Sequence, residues 1–173
     1  MYLDRRTTRH PARAFTLFEL LIVMVIIAIA FYAFRPSFAG VLRGAEKRGA
    51  LRKVVGLLTS ARAEAIARGT LIRVVCAPHE GLLWAEAQVD PTWDIYEFEP
   101  ISLLGRPEVS LPRSLVISEV WIAGQAAVDA GDATIYFYPD GRTDGASLVL
   151  VGVDGNETVI DVAPTTGRVR LDA

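Results

Sequence analysis

One carboxylate stands alone in the most apolar part of this chain. From Phe15 to Phe34 the residues read FTLFELLIVMVIIAIAFYAF, and Glu19 is the only charge among them. A carboxylate in hydrocarbon costs roughly 2.5–3.5 kcal/mol on insertion scales, and more when it has no partner. Its chemistry is therefore electrostatic: it needs a cation, or a path to the headgroups along which a side chain near the helix end can snorkel. The other reactive side chains are sparse. Cys76 is the only cysteine, so no intramolecular disulfide or thiolate metal cage can form. His10 and His79 are the only histidines, and neither has an acid and a nucleophile spaced as partners. Asp140, Asp144, Asp154 and Asn156 invite a calcium reading, but they fall in Asp-Gly turns that use Asp and Asn for backbone reasons, and they lack the dense oxygen spacing of a loop site. Arg168 and Arg170 form a basic pair at strand spacing. No catalytic residue, metal, cofactor or small-molecule substrate is expected.

The chain that must position these groups has 173 residues, 51% of them hydrophobic and 22% charged. It is too apolar to be a disordered chain or a nucleic-acid tail, and long enough for one domain. Its net charge of −2 is unevenly spread. Residues 1–14 carry four arginines against Asp4, and residues 35–53 carry six cations against Glu46. Residues 54–173 carry eight arginines against seventeen acids, a net of −9. Such a body repels phosphate backbones unless a local patch overrides it.

At ~1.5 Å per residue, a helix over Phe15–Phe34 spans about 30 Å, a bilayer core. The basic residues 1–14 should stay cytoplasmic and send the rest across the membrane. Two processing routes compete. Cleavage after Ser37-Phe38-Ala39 would remove the apolar run as a secretory signal and release a soluble enzyme or binding protein. Cleavage before the run would keep it, and its length and Glu19 favour this route. Arg5-Arg6 hints at twin-arginine export, but Thr7-Thr8-Arg9-His10 lacks the apolar residues that should follow. Beyond Pro36 helical patterning resumes: Val41, Leu42, Ala45, Leu51, Val54, Val55, Leu58, Ala61, Ala65 and Ile66 recur at spacings of three and four, up to a stop at Gly69. The basic face Arg43–Lys53 reads as solvated, with anionic lipid or acidic neighbours as the alternative.

At Ala14-Phe15-Thr16-Leu17-Phe18-Glu19-Leu20-Leu21 the sequence resembles the class III signal of type IV prepilins and type II secretion pseudopilins. The resemblance implies cleavage between Ala14 and Phe15 by a prepilin peptidase, with Ala14 in place of the usual Gly, and N-methylation of Phe15. Glu19 then becomes the fifth mature residue and takes an assembly role. With the Phe15 amine free, Glu19 gains its cation, and in a filament that cation belongs to a neighbouring subunit, so neutralisation sets the axial register. Pro36 falls where family members often carry a helix-kinking Pro.

Ser60-Ala61-Arg62-Ala63-Glu64-Ala65-Ile66-Ala67-Arg68-Gly69 resembles the helix end of the H-type minor pseudopilins, the GspH/FimT superfamily, in which such a run precedes the first strand. Read as a helix, it should turn Ala65 and Ile66 inward and Arg62, Glu64 and Arg68 outward. Strands are expected over 71–76, 82–89, 109–122 (one or two), 133–138, 147–153, 157–162 and 168–171, with 90–108 irregular and 124–131 a small-residue loop. Tyr136-Phe137-Tyr138-Pro139-Asp140-Gly141 and Thr166-Gly167-Arg168-Val169 resemble the C-terminal half of the same family. Gly167-Arg168-Val169-Arg170 is also similar to an element of DNA-binding minor pilins in the superfamily. An exposed basic pair on an edge strand is the plainer reading, and the acidic body favours it, so nucleic acid is not an expected partner.

The resemblance implies an α+β, type IV pilin-like fold: a long N-terminal helix packed on antiparallel sheets. Residues 1–14 would be a removed leader, 15–34 the transmembrane half of the helix, 35–69 its amphipathic half, and 70–173 a periplasmic β-rich domain. The expected function is that of a minor pseudopilin in the periplasmic filament of a type II secretion system, near the filament tip. It would be anchored by a single pass in the bacterial inner membrane and partnered by other pseudopilins and the prepilin peptidase. The alternative is a minor pilin of a type IV pilus, binding DNA through Arg168 and Arg170.

Overall fold

A computed structural model describes residues 15–90, 97–126 and 131–172, with side chains described throughout except at 33–43. Ala14 and the rest of the expected leader lie outside the described residues. The chain divides into two compact units, Met1–Val41 and Leu42–Ala173. Helix α1, Leu17–Arg68, belongs to both and is continuous through Pro36, whose side chain is not among those described.

In the first unit α1 begins two residues later than the apolar run because Thr16 caps it. The Thr16 hydroxyl accepts the Glu19 N–H at 3.2 Å, and the Thr16 carbonyl accepts the Glu19 and Leu20 N–H groups at 3.1 and 3.2 Å. These bonds occupy donors that a helix start otherwise leaves empty. Apolar side chains are exposed all round this part of α1: Leu17, Phe18, Leu20, Ile22, Val23 and Ile26 point in different directions, and all are exposed. Among the described residues no helix is long and apolar enough to cross a membrane. The described side chains stop at Tyr32, and the expected span runs on to Phe34.

In the second unit α1 is one-sided. Ala50, Leu51, Val54, Leu57, Leu58, Ala61 and Ala65 are buried at spacings of one, three and four. Ala45 is exposed, and Val41 and Leu42 of the expected stripe lie outside the described side chains. The helix ends at Gly69, whose left-handed φ of +66° lets its N–H reach the Ala65 carbonyl at 3.0 Å.

Among the described residues ten strands follow: β1 Ile72–Ala77, β2 Leu82–Gln88, β3 Phe98–Ile101, β4 Glu108–Ser110, β5 Leu115–Ile122, β6 Gln125–Ala126, β7 Ala133–Phe137, β8 Ala146–Gly152, β9 Glu157–Val162 and β10 Val169–Asp172. They form two antiparallel sheets. The first has the order β3-β2-β1-β7, with β4 also on β2; the second has the order β10-β9-β8-β5-β6. Alternation sends Leu83, Ala85 and Ala87 of β2 inward, and likewise Leu148 and Leu150 of β8 and Ile160 and Val162 of β9. These join the α1 stripe, Ile72, Val74, Ile135 and Phe137 in one core.

The expected strands are present with shifts of one residue at most of their ends, and 109–122 is two strands. Residues 90–108 are not wholly irregular: β3 lies there and includes Pro100. The edge of a sheet tolerates proline because one side of an edge strand needs no donor. Residues 124–131 hold the two-residue strand β6. In β5 the register to β8 shifts between Ile117 and Glu119, and Ser118 turns aside to donate to the Val149 carbonyl at 3.1 Å. The bulge keeps both Ile117 and Val120 in the core.

Candidate assembly surfaces

The family-like segments of the sequence meet at one point. Arg62 was expected to face solvent; instead its Nε donates to the Gly141 carbonyl at 3.2 Å, in a half-buried site. Gly167 closes over both. A Cβ on Gly167 would stand 2.7 Å from the Gly141 oxygen and 2.7 Å from the Arg62 Cδ, and its φ is +59°. The helix end 60–69, the Pro139-Asp140-Gly141 turn and the Thr166-Gly167 turn are thus pinned together by one guanidinium. Ile66, expected inward, is 46% exposed, because Ala65 already fills the core position and Ile66 instead reaches toward the Gly141 turn. Glu64 and Arg68 pair with each other on the exposed face at 2.5 Å.

The basic face of α1 is only partly free. Lys47 donates to the Asn156 carbonyl at 3.2 Å and lies 3.8 Å from Asp154, so the β8–β9 turn is tied to α1 there. Two of the turn carboxylates, Asp140 and Asp154, serve the backbone. Asp140 accepts the Arg142 N–H at 3.0 Å and pairs with its guanidinium. Asp154 accepts the Asn156 side-chain amide at 2.8 Å and the Asn156 backbone N–H at 3.2 Å. Those hydrogen bonds hold both carboxyls below the usual carboxylate range. Asp144 accepts from the Tyr138 hydroxyl at 3.1 Å. Burial raises that phenol, and the bond to Asp144 adds to the shift.

Cys76 is fully buried in β1, and burial pushes its thiol up to about 12, so it behaves as a small apolar side chain. His79 is exposed in the β1–β2 turn. Across β1 and β2, Arg73 stands opposite Glu86 and pairs with it at 2.6 Å. Glu86 also accepts the Trp84 indole N–H at 2.8 Å, and the Arg73 guanidinium lies 4.0 Å over the Phe98 ring, which orders that sheet face.

Arg168 and Arg170 are both exposed, at the start of and on the edge strand β10. They line one depression of about 440 Å³ with Trp121, Asp144, Asp161 and Asp172. Arg170 stands opposite Asp161, which also accepts from the Ser147 hydroxyl. Three carboxylates in the same depression oppose a phosphate backbone as the two arginines attract it.

Two groups belong to the first unit. Phe15 is exposed just before Thr16. Glu19 is the third residue of α1, one turn into an exposed apolar surface. Thr16-Leu17-Phe18-Glu19 has the T-x-x-E spacing of a capping box, a local signal in the sequence for this helix start.

The family profile described as type II transport protein GspH matches residues 50–167, and the one described as the prokaryotic N-terminal methylation motif matches residues 9–31. Among solved structures, a crystal structure of the minor pseudopilin EPSH from the type II secretion system of Vibrio cholerae is similar. It has 17% identity and a TM-score of 0.54, covering 76% of this chain and 96% of that one. A second structure of EpsH from the same organism has 13% identity and a TM-score of 0.54, covering 73% and 95%. At such identities the likeness is one of fold. No curated protein matched the sequence.

Proposed function

The chain belongs to the type II transport protein GspH family, and from that premise we propose how it acts: as a minor pseudopilin, a structural subunit of a type II secretion system, it joins the periplasmic filament through its N-terminal helix. The observation that carries this is the order of two matches on one chain, a methylation motif at the start and the GspH profile over the body. In this reading a prepilin peptidase cuts between Ala14 and Phe15, and Phe15 is N-methylated. The apolar part of α1 anchors the subunit in the inner membrane, and the body stands in the periplasm. Exposed apolar side chains from Phe15 to Phe31 find lipid before assembly and neighbouring helices after it. Glu19 is the group that makes docking register-specific, because its unpaired charge is costly until a neighbour's Phe15 amine reaches it. The pinned helix end at Arg62, Gly141 and Gly167 gives the body a fixed seat on the helix. The subunit sits near the filament tip, does no chemistry of its own and binds other pseudopilins.

Deleting the gene in its own bacterium tests this. Proteins exported by the secretion system are expected to accumulate in the periplasm, and the full chain supplied in trans is expected to restore their release. Normal secretion with loss of surface pili would move the chain to a type IV pilus.

A further inference from the structure

Within the second unit, a groove of about 260 Å³ opens between α1 and the turn that joins β3 to β4. Its floor is apolar: Leu57, Leu103 and Val109 are each 6% exposed or less. Its rim is cationic, with Arg52 and Lys53 from α1 and Arg106 from the turn, and no carboxylate among the described residues lines it. Among the described residues none of the three cations makes an ion pair. This is the reverse of the surrounding body, which carries a net of −9 from residue 54 onward.

Two locally unfavourable choices build the groove. Leu104 adopts a left-handed backbone, φ +54°, at the tip of the turn bridged by Leu103 and Arg106. A non-glycine residue there is strained, and this one leaves a large apolar side chain 66% exposed. Gly56, a poor helix former, gives up its side chain where a Cβ would come within 3.1 Å of Leu104 Cδ1, which lets Leu104 lie across α1 as a wall.

We propose that this groove docks an acidic amphipathic segment of a neighbouring filament subunit, its apolar side chains on Leu57, Leu103 and Val109 and its carboxylates on Arg52, Lys53 and Arg106. The identity of the neighbour rests on the filament reading above; the chemistry of the groove does not. Three clustered cations repel one another until an anion arrives, and an apolar floor ringed by charge is the anatomy of a small protein interface. Its concavity selects a protein ridge over a flat anionic membrane, which would need a convex apolar surface to enter.

The test uses the full chain in its own bacterium, in a strain whose other pseudopilins carry distinct tags. A Leu104→Cys chain bearing a short thiol-attached photo-crosslinker reports what lies on the groove; Cys76, buried, does not compete for the label. The expected result is an adduct with one pseudopilin, mapped to a segment in which carboxylates alternate with apolar residues. The Arg52→Glu/Lys53→Glu/Arg106→Glu variant should lower that adduct by about tenfold through like-charge contact, at unchanged chain abundance. Arg52→Lys, which keeps the charge, should leave it intact. Adducts with lipid alone, or an adduct and a level of secretion untouched by the triple reversal, would overturn the proposal. A Glu19→Ala chain run in parallel separates the two ideas. If that change blocks secretion while the reversal alters neither the adduct nor secretion, the groove is wrong and the filament reading stands. If neither change alters secretion, the filament reading has failed.

Discussion

Glu19→Ala is expected to leave the chain in the membrane and to exclude it from the filament. Insertion should become easier, because the change removes a cost of roughly 2.5–3.5 kcal/mol in hydrocarbon. Assembly should become harder, because a neighbour's Phe15 amine loses its counter-charge in a low-dielectric setting. Stranding one member of a buried pair costs about 3–5 kcal/mol, so the occupancy of the filament should fall by about a hundredfold or more. The capping geometry at Thr16 supplies a competing account, in which Glu19 matters as the third residue of a capping box. Glu19→Gln separates them, since Gln serves a capping box but carries no charge. Failure of both variants in co-isolation with the other pseudopilins supports the charge; a Gln chain that assembles normally assigns Glu19 to helix capping instead.

The largest expected loss of stability follows Gly167→Ala. The new Cβ would meet the Gly141 carbonyl oxygen at 2.7 Å, a backbone atom that cannot swing aside, and the φ of +59° disfavours any side chain. Strain of about 1–2 kcal/mol and overpacking of about 1–3 kcal/mol add to about 3 kcal/mol, or a fall of about 10 °C in Tm for a unit of this size. Gly155→Ala is the control: its φ is +75°, but nothing lies within 4 Å of the added carbon, so only the strain remains. Thermal melts of the full chain in detergent should rank the two in that order. Equal losses would mean that the Arg62–Gly141–Gly167 junction is not closed as described.

Some of this was legible from the residues, and the reasons differ by element. The core stripe of α1 is visible because Leu51, Val54, Leu58, Ala61 and Ala65 keep helical spacing against polar neighbours. The β8–β9 hairpin is visible because Asp154-Gly155-Asn156 is turn chemistry between apolar runs. β3 was hidden by Pro100, which counts against a strand anywhere but an edge. The bulge at Ser118 broke the alternation of β5. Arg62 was misplaced because helical periodicity places a residue relative to its own helix only. Its partner, the Gly141 carbonyl, comes from a turn 79 residues away. The groove around Leu104 was invisible for the same reason: Arg52 and Lys53 are separated in sequence from Leu103, Leu104 and Arg106, and only the fold brings them to one rim.

The central claim is that this chain keeps its apolar helix and enters a filament, and the mature N-terminus tests it most directly. Intact-mass and N-terminal peptide mass spectrometry of the chain isolated from membranes should find it starting at Phe15, with one methyl group on the amine and residues 1–14 gone. A chain recovered free of the membrane and starting at Gly40 would contradict the account.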